Sequence, residues 1–120
     1  MPGHSEVRKR RRLREQERRV LADERFIAEL ADAVRAQFPA CPAQRAERIA
    51  RHAGLRRSGR IGRTRAGRAL DADAVRLAVI ASVRHNDTSY DQLLISGLPR
   101  ERAREQVRDD VDRVLAGWGR

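Results

Sequence analysis

The 120-residue chain has one cysteine, few aromatic residues and no long apolar run, and each shortage excludes a class of protein. Cys41 alone can form no intramolecular disulfide and completes no cysteine-based zinc site, which fits a reducing compartment. The longest nearly apolar stretch, 72–83, is shorter than the ~20 residues that a membrane-spanning helix needs. The basic N-terminus also lacks the apolar region of a secretory signal. We therefore expect a cytoplasmic protein with no membrane partner.

Aromatic residues are limited to Phe26, Phe38, Tyr90 and Trp118, so the core must consist mainly of Ala, Val, Leu and Ile. Side chains of this kind favour closely packed helices over a β-sandwich. A domain of this size buries about two-thirds of its unfolded surface, and a homodimer is compatible with so modest a core.

Acidic residues are absent from 51–70, which carries seven Arg, whereas 1–20 carries eight Arg or Lys against three Glu. Outside these two basic segments the charges nearly cancel, so the segments account for the formal net charge of +10. Charge of this density repels itself unless a polyanion screens it.

The apolar periodicity is helical, and no stretch alternates as a strand does. Residues 6–19 contain good helix formers but almost no apolar face, so we expect a flexible basic arm over 1–19. An apolar face then predicts a first packed helix from Val20 to about Gln37.

The second basic segment interrupts this periodicity. A short helix follows Pro42 and is expected to end at Gly54. Two glycines among four arginines predict a loop over 56–63, and Thr64 is a candidate cap for a brief helix over 65–70.

The most apolar helix is expected to begin after Asp71, a natural N-cap, and to be buried on every side. Residues 85–87 end it, and Thr88 with Asp91 has the spacing of a capping box for a short helix that stops at Gly97.

The last helix begins at Pro99 and has the clearest apolar stripe of the chain. Its members are Ala103, Val107, Val111, Val114, Leu115 and Trp118. The sequence thus predicts an all-α fold: a single domain over 20–118, a small bundle of about five helices around one apolar central helix, preceded by the basic arm.

Several sequence blocks occur together in a specific order. They are Phe-Pro-Ala-Cys-Pro at 38–42, Arg-His-Ala at 51–53, Ser-Gly-Arg-Ile-Gly-Arg at 58–63, Ala-Val-Arg-Leu-Ala-Val-Ile-Ala at 74–81, Arg-His at 84–85 and Thr-Ser-Tyr-Asp-Gln-Leu-Leu at 88–94. This combination resembles the uncharacterised bacterial and fungal family catalogued as domain of unknown function 2293, over about Ala36 to Trp118. The resemblance implies a domain boundary rather than an activity.

The loop around Gly59 and Gly62 is a candidate phosphate site, because glycines let backbone N–H groups approach a phosphate while Arg60 and Arg63 bind its oxygens. It matches neither a Walker loop nor a dinucleotide fingerprint. A solvated turn is the alternative interpretation.

The block from Arg84 to Asp91 admits two interpretations. A catalytic one makes His85 a general base, Tyr90 a proton donor and Asp91 the orienting carboxylate. The structural one, which we favour, explains His85 by the helix dipole, Thr88 and Asp91 by capping, and Tyr90 by packing.

Metal binding would depend on Cys41, His52 and His85, which have no metal-ligand spacing. Cys41 is better explained as a small buried residue. We therefore assign no metal, no cofactor and no catalytic residue.

The function we expect is that of a nucleic-acid-binding accessory protein that contacts phosphates with little sequence specificity, with DNA or RNA left open. The basic segments contain no aromatic residue for base stacking, which favours duplexes or structured RNA. The expected contacts are Arg10, Arg11, Arg12, Arg14, Arg56, Arg57, Arg60, Arg63, Arg65 and Arg68. The alternatives are a protein-interaction module that uses the last helix, and an enzyme that uses His85 and Tyr90.

Overall fold

The computed structural model of the chain describes residues 3–57 and 70–120. Five α-helices occur there, and those residues include no strand, which confirms the all-α bundle. The helices are α1 (His4–Gln37), α2 (Ala43–Arg57), α3 (Ala72–Asp87), α4 (Tyr90–Ile95) and α5 (Arg100–Trp118). No helix of the described part is long and apolar enough to cross a bilayer. The helix expected over 65–70 with its cap Thr64 lies outside these residues.

Helix α3 is the centre of the bundle, since it contacts all four other helices. Val75, Val79 and Val83 recur every four residues on one face, and each is fully buried. Asp71 occupies the N-cap position, as predicted, although its side chain makes no capping hydrogen bond. The expectation that α3 is buried on every side is wrong, because Leu77 is 65% exposed. The described neighbours cover the valine face and its flanks only.

Helices α1 and α2 form an antiparallel pair joined by a short turn at 38–42. Gly54 was expected to end α2, but the helix continues to Arg57, where a loop was expected from 56 onward. Gly54 is buried, and a Cβ there would come within 3.1 Å of Ile27 Cγ1. The missing side chain of Gly54 therefore lets α1 and α2 approach closely, and the glycine does not end the helix.

The basic N-terminal segment is helical and continuous with the first packed helix. We expected a flexible arm over 1–19 and a helix from Val20, whereas α1 begins at His4. Nucleating a helix is its costly step, and the packed half of α1 removes that cost for the residues before it. Arg, Glu, Gln and Leu have high helix propensity, and no Pro or Gly interrupts 4–37, so the helix propagates.

The turn between α3 and α4 differs from the expected capping box. Ser89, not Thr88, occupies the N-cap position, and its side chain makes no capping hydrogen bond. Thr88 Oγ1 accepts a hydrogen bond of 3.1 Å from the Tyr90 backbone N–H. Asp91 does not bond back to the turn but pairs with His85.

The end of α4 follows the prediction closely. Gly97 has φ +97°, the region that glycine adopts at little cost, and the Leu98 N–H donates to the Leu93 carbonyl at 3.0 Å, as in a Schellman motif. Pro99 then occupies the N-cap of α5. The predicted stripe of α5 packs into the core: Ala103, Val107, Val111 and Leu115 are buried, while Val114 and Trp118 are partly buried.

Replacing Val79 with Asp is expected to unfold the domain, because it buries an unpaired carboxylate among the helices that meet at α3. The cost should be about 4 kcal/mol in the free energy of unfolding. Leu77→Asp is the matched control, since it puts the same side chain on the exposed face of the same helix. Urea denaturation followed by circular dichroism measures both. Equal midpoints for the two variants would contradict the placement of α3.

Candidate nucleic-acid interface

The first half of α1 projects beyond the bundle as an exposed helix, which we call the basic extension (residues 4–20). Every residue of the extension is exposed, and the first half-buried position of α1 is Asp23. Seventeen residues at ~1.5 Å each give the extension a length of about 25 Å. The molecule is correspondingly elongated, measuring 66 × 35 × 25 Å.

The extension carries eight cations against three Glu, and within the described residues only Arg10 among these cations has an ion-pair partner. Arg10 lies 3.9 Å from Glu6, but both side chains are about two-thirds exposed, where an ion pair stabilises weakly. Arg11, Arg12 and Arg14 have no hydrogen-bond or ion-pair partner within 3–57 and 70–120. These three, with Arg10, are the expected contact residues that the structure places in one exposed helix.

An ion pair fixes the packed half of α1 against α2. The two terminal nitrogens of Arg51, Nη1 and Nη2, donate to the two carboxylate oxygens of Glu24 at 3.0 Å each. Nη2 also lies 3.6 Å from Glu47 Oε1. The hydrogen bond from Arg51 lowers the pKa of Glu24, and the same bond raises the pKa of Arg51. Arg51 is therefore neutralised by the helix pair, unlike Arg11, Arg12 and Arg14 as far as the described residues show.

The end of α2 reaches the side of the domain from which the extension leaves. Arg51 pairs with Glu24 and Gly54 packs against Ile27, so the antiparallel α2 ends beside the start of the packed half of α1. Arg56 and Arg57 lie in this last turn of α2. The other expected contacts lie outside the described residues: Arg60, Arg63, Arg65 and Arg68. Part of each basic segment is thus brought to one end of the fold.

Arg45 is a structural residue that the sequence analysis missed. Its Nη1 donates to Asp87 Oδ1 at 3.1 Å and its Nη2 to Ser82 Oγ at 3.3 Å, while the guanidinium lies 5.2 Å from the Trp118 ring centroid. The Arg45 side chain is only 13% exposed. It joins α2, α3 and α5, but its partners are distant in sequence and no local signal distinguishes it from Arg48.

Arg45→Met should destabilise the domain by about 2 kcal/mol, because Asp87 and Ser82 lose a charged donor in a partly buried position. Met keeps much of the side-chain volume, so the loss reports hydrogen bonds and charge rather than a cavity. Arg48→Met, at an exposed position of the same helix, is expected to change the midpoint of thermal unfolding very little. Comparable losses for the two variants would contradict this role of Arg45.

The block from Arg84 to Asp91 forms a packed corner between α3 and α4. The Arg84 guanidinium lies 5.5 Å from the Tyr90 ring centroid, and the His85 ring meets Tyr90 edge-on at 5.3 Å. His85 Nδ1 and Asp91 Oδ1 share a hydrogen bond of 2.5 Å. Partial burial lowers the pKa of Arg84, and the nearby Arg104 adds to that lowering. Tyr90, the centre of these contacts, is itself buried.

His85 and Asp91 also line an open, polar groove together with Asp87 and Asp110. The catalytic interpretation requires His85 and Tyr90 to meet in a cleft with apolar walls. Tyr90 lies beneath the corner and does not line the groove. The geometry therefore favours the structural interpretation of this block.

His85→Ala is expected to lower the free energy of unfolding by about 1 kcal/mol or less, because the His85–Asp91 pair is half exposed and screened by solvent. His52→Ala, at an exposed position of α2, should leave the free energy of unfolding unchanged. Tyr90→Phe keeps the ring contacts and should also cost little. Unfolding of the His85 variant at room temperature would show that the corner matters far more than its exposure implies.

No three of the His, Cys, Asp and Glu side chains in 3–57 and 70–120 are grouped as metal ligands. Cys41 is buried, as predicted, and burial raises the pKa of its thiol, which keeps it protonated. His52 is exposed on α2.

Comparison with known proteins gives one result. No curated protein and no solved structure matches the chain. The model of one protein family, described as an uncharacterized conserved protein (DUF2293), matches residues 33–119, close to the boundaries expected from the sequence blocks. This range contains the packed end of α1 and helices α2 to α5, whereas the basic extension precedes it. The chain therefore belongs to the family of domain of unknown function 2293.

Proposed function

We propose that the protein is a nucleic-acid-binding accessory protein that contacts mainly the phosphate backbone, with little sequence specificity. The observation that carries the proposal is the basic extension, a preformed helix with five excess positive charges and no packing role. The repulsion among these cations falls when a polyanion lies against the extension. Binding is also favoured because the counterions condensed on the polyanion are released.

The rest of the chain supports this proposal by contrast. Residues 21–50 and 71–120 carry nearly equal numbers of cations and acids. Two arginines in these parts have carboxylate partners, Arg45 with Asp87 and Arg113 with Asp110. An arginine-rich composition alone would not concentrate an excess of five positive charges in one exposed helix.

The composition of the extension favours double-stranded or structured nucleic acid. It contains no Phe, Tyr or Trp, so it lacks the aromatic side chains on which proteins specific for single strands usually stack bases. Guanidinium groups bind phosphate oxygens in pairs and read no sequence when they do so. The proposed contacts are Arg10, Arg11, Arg12 and Arg14, with Arg56, Arg57, Arg60, Arg63, Arg65 and Arg68 of the second basic segment.

The alternative functions have less support. The interaction module depended on the apolar stripe of α5, and this stripe is packed inside the bundle. The enzyme depended on a shared cleft for His85 and Tyr90, and Tyr90 lies outside the groove. The proposed compartment is the cytoplasm, where a single unpaired cysteine is normal.

Affinity for duplex nucleic acid is expected to fall steeply with salt. If five or six phosphates are neutralised, the slope of log K against log salt should be about −5, at ~0.9 per phosphate. Changing Arg10, Arg11, Arg12 and Arg14 together to Ala should flatten the slope by about 3 units. Fluorescence anisotropy with labelled duplex DNA, single-stranded DNA and structured RNA, at several salt concentrations, measures these slopes.

The matched control removes the same number of charges elsewhere. Arg100, Arg102, Arg108 and Arg113 are exposed on α5, where five Arg face five acids. Their replacement by Ala changes the net charge equally and should leave the slope almost unchanged. Equal flattening by both sets, or binding that ignores salt, would show that the extension is not the interface.

A further inference from the structure

We infer that the basic extension seats in the major groove of B-form duplex DNA. This inference rests on the proposed function and specifies its polyanion. It follows from three properties of the extension: its dimensions, the distribution of its cations around the helix axis, and its continuity with the packed half of α1.

The dimensions of the extension match one groove. An α-helix with its side chains is ~10–12 Å across, and the major groove of B-form DNA is ~12 Å wide. The extension is exposed at every residue, so a groove can enclose it without collision with the bundle for about 25 Å. A-form RNA has a deep, narrow major groove that excludes a helix.

The cations cover a wide arc of the helix rather than a stripe. At ~100° per residue, seven of the eight lie within about 200° of the circumference. Those seven are Arg8, Arg10, Arg11, Arg12, Arg14, Arg18 and Arg19. The opposite side carries the eighth cation, Lys9, together with Leu13, Val20, Glu6 and Glu17. A flat anionic surface would need a narrow stripe, whereas a groove presents phosphates on two walls and is matched by a wide arc.

The packed half of α1 holds the extension in helical form before DNA is bound. An isolated helix of this length is marginal in water, but here the helix continues without a break into Ile27, Leu30 and Val34, which are buried. The orientation of the cations around the axis is therefore set in advance. A charged tail of the same composition would have no such fixed arc.

Gln16→Pro tests the inference, because it keeps every charge but breaks the helix between residues 4–15 and the packed half of α1. Gln16→Ala is the matched control. Gln16 is exposed and remote from the core, so circular dichroism and thermal unfolding should show an intact bundle for both. The probes are a DNA duplex and an RNA duplex of the same sequence, each measured by anisotropy at two salt concentrations.

The unmodified protein and Gln16→Ala should bind the DNA duplex about tenfold more tightly than the RNA duplex. This difference in affinity corresponds to about one or two additional phosphate contacts on the DNA. Both proteins should also protect guanine N7, which lies in the major groove, from methylation by dimethyl sulfate. Gln16→Pro should lose both the preference and the protection.

The outcomes separate the two proposals. Equal affinity for the DNA and RNA duplexes, or a Gln16→Pro variant that behaves as the parent does, would overturn groove insertion and leave the proposed function standing. Tighter binding to RNA would do the same. Absence of salt-dependent binding to either duplex would overturn both.

Discussion

The bundle depends on the burial of one row of valines, at Val75, Val79 and Val83 on α3. The four other helices all contact α3, and the row is fully buried among them. Short side chains at a four-residue interval let helices approach closely, and Gly54 continues this close packing between α2 and α1. Because α1 is anchored there through its second half, its first half is held as a helix in solvent. The proposed interface is thus a consequence of the core, although it contributes nothing to the core.

Features that depend on neighbouring residues were predictable from the sequence. The stripe of α5, the glycine turn at Gly97 and the N-cap at Asp71 each arise within a few residues, and all three are present. Features that depend on distant residues were not predictable. Gly54 looked like a helix end because its contact with Ile27 is a tertiary one. Asp91 had two interpretations in the sequence, a cap or a partner of His85, and the structure has the pairing with His85.

The candidate site was predictable in its charge but not in its shape. Counting residues located the excess of positive charge in two segments, which is independent of the fold. It could not separate free arginines from neutralised ones. Arg51 belongs to the second basic segment but is occupied by Glu24, and Arg45 looks ordinary in sequence but is mostly buried against Asp87. The helical form of the extension also escaped prediction, since its stability comes from the residues that follow it.

The extension carries positive charge ahead of the bundle along the axis of α1. It has five excess charges, residues 51–70 carry seven more, and residues 21–50 and 71–120 are close to neutral. In the field of a polyanion, such a molecule experiences a torque as well as an attraction, and it turns the extension forward before any contact forms. Encounters are then oriented at separations of about a Debye length, ~8 Å at physiological salt. In the proposed complex, the protruding helix would therefore set how fast productive encounters form as well as how tightly they hold.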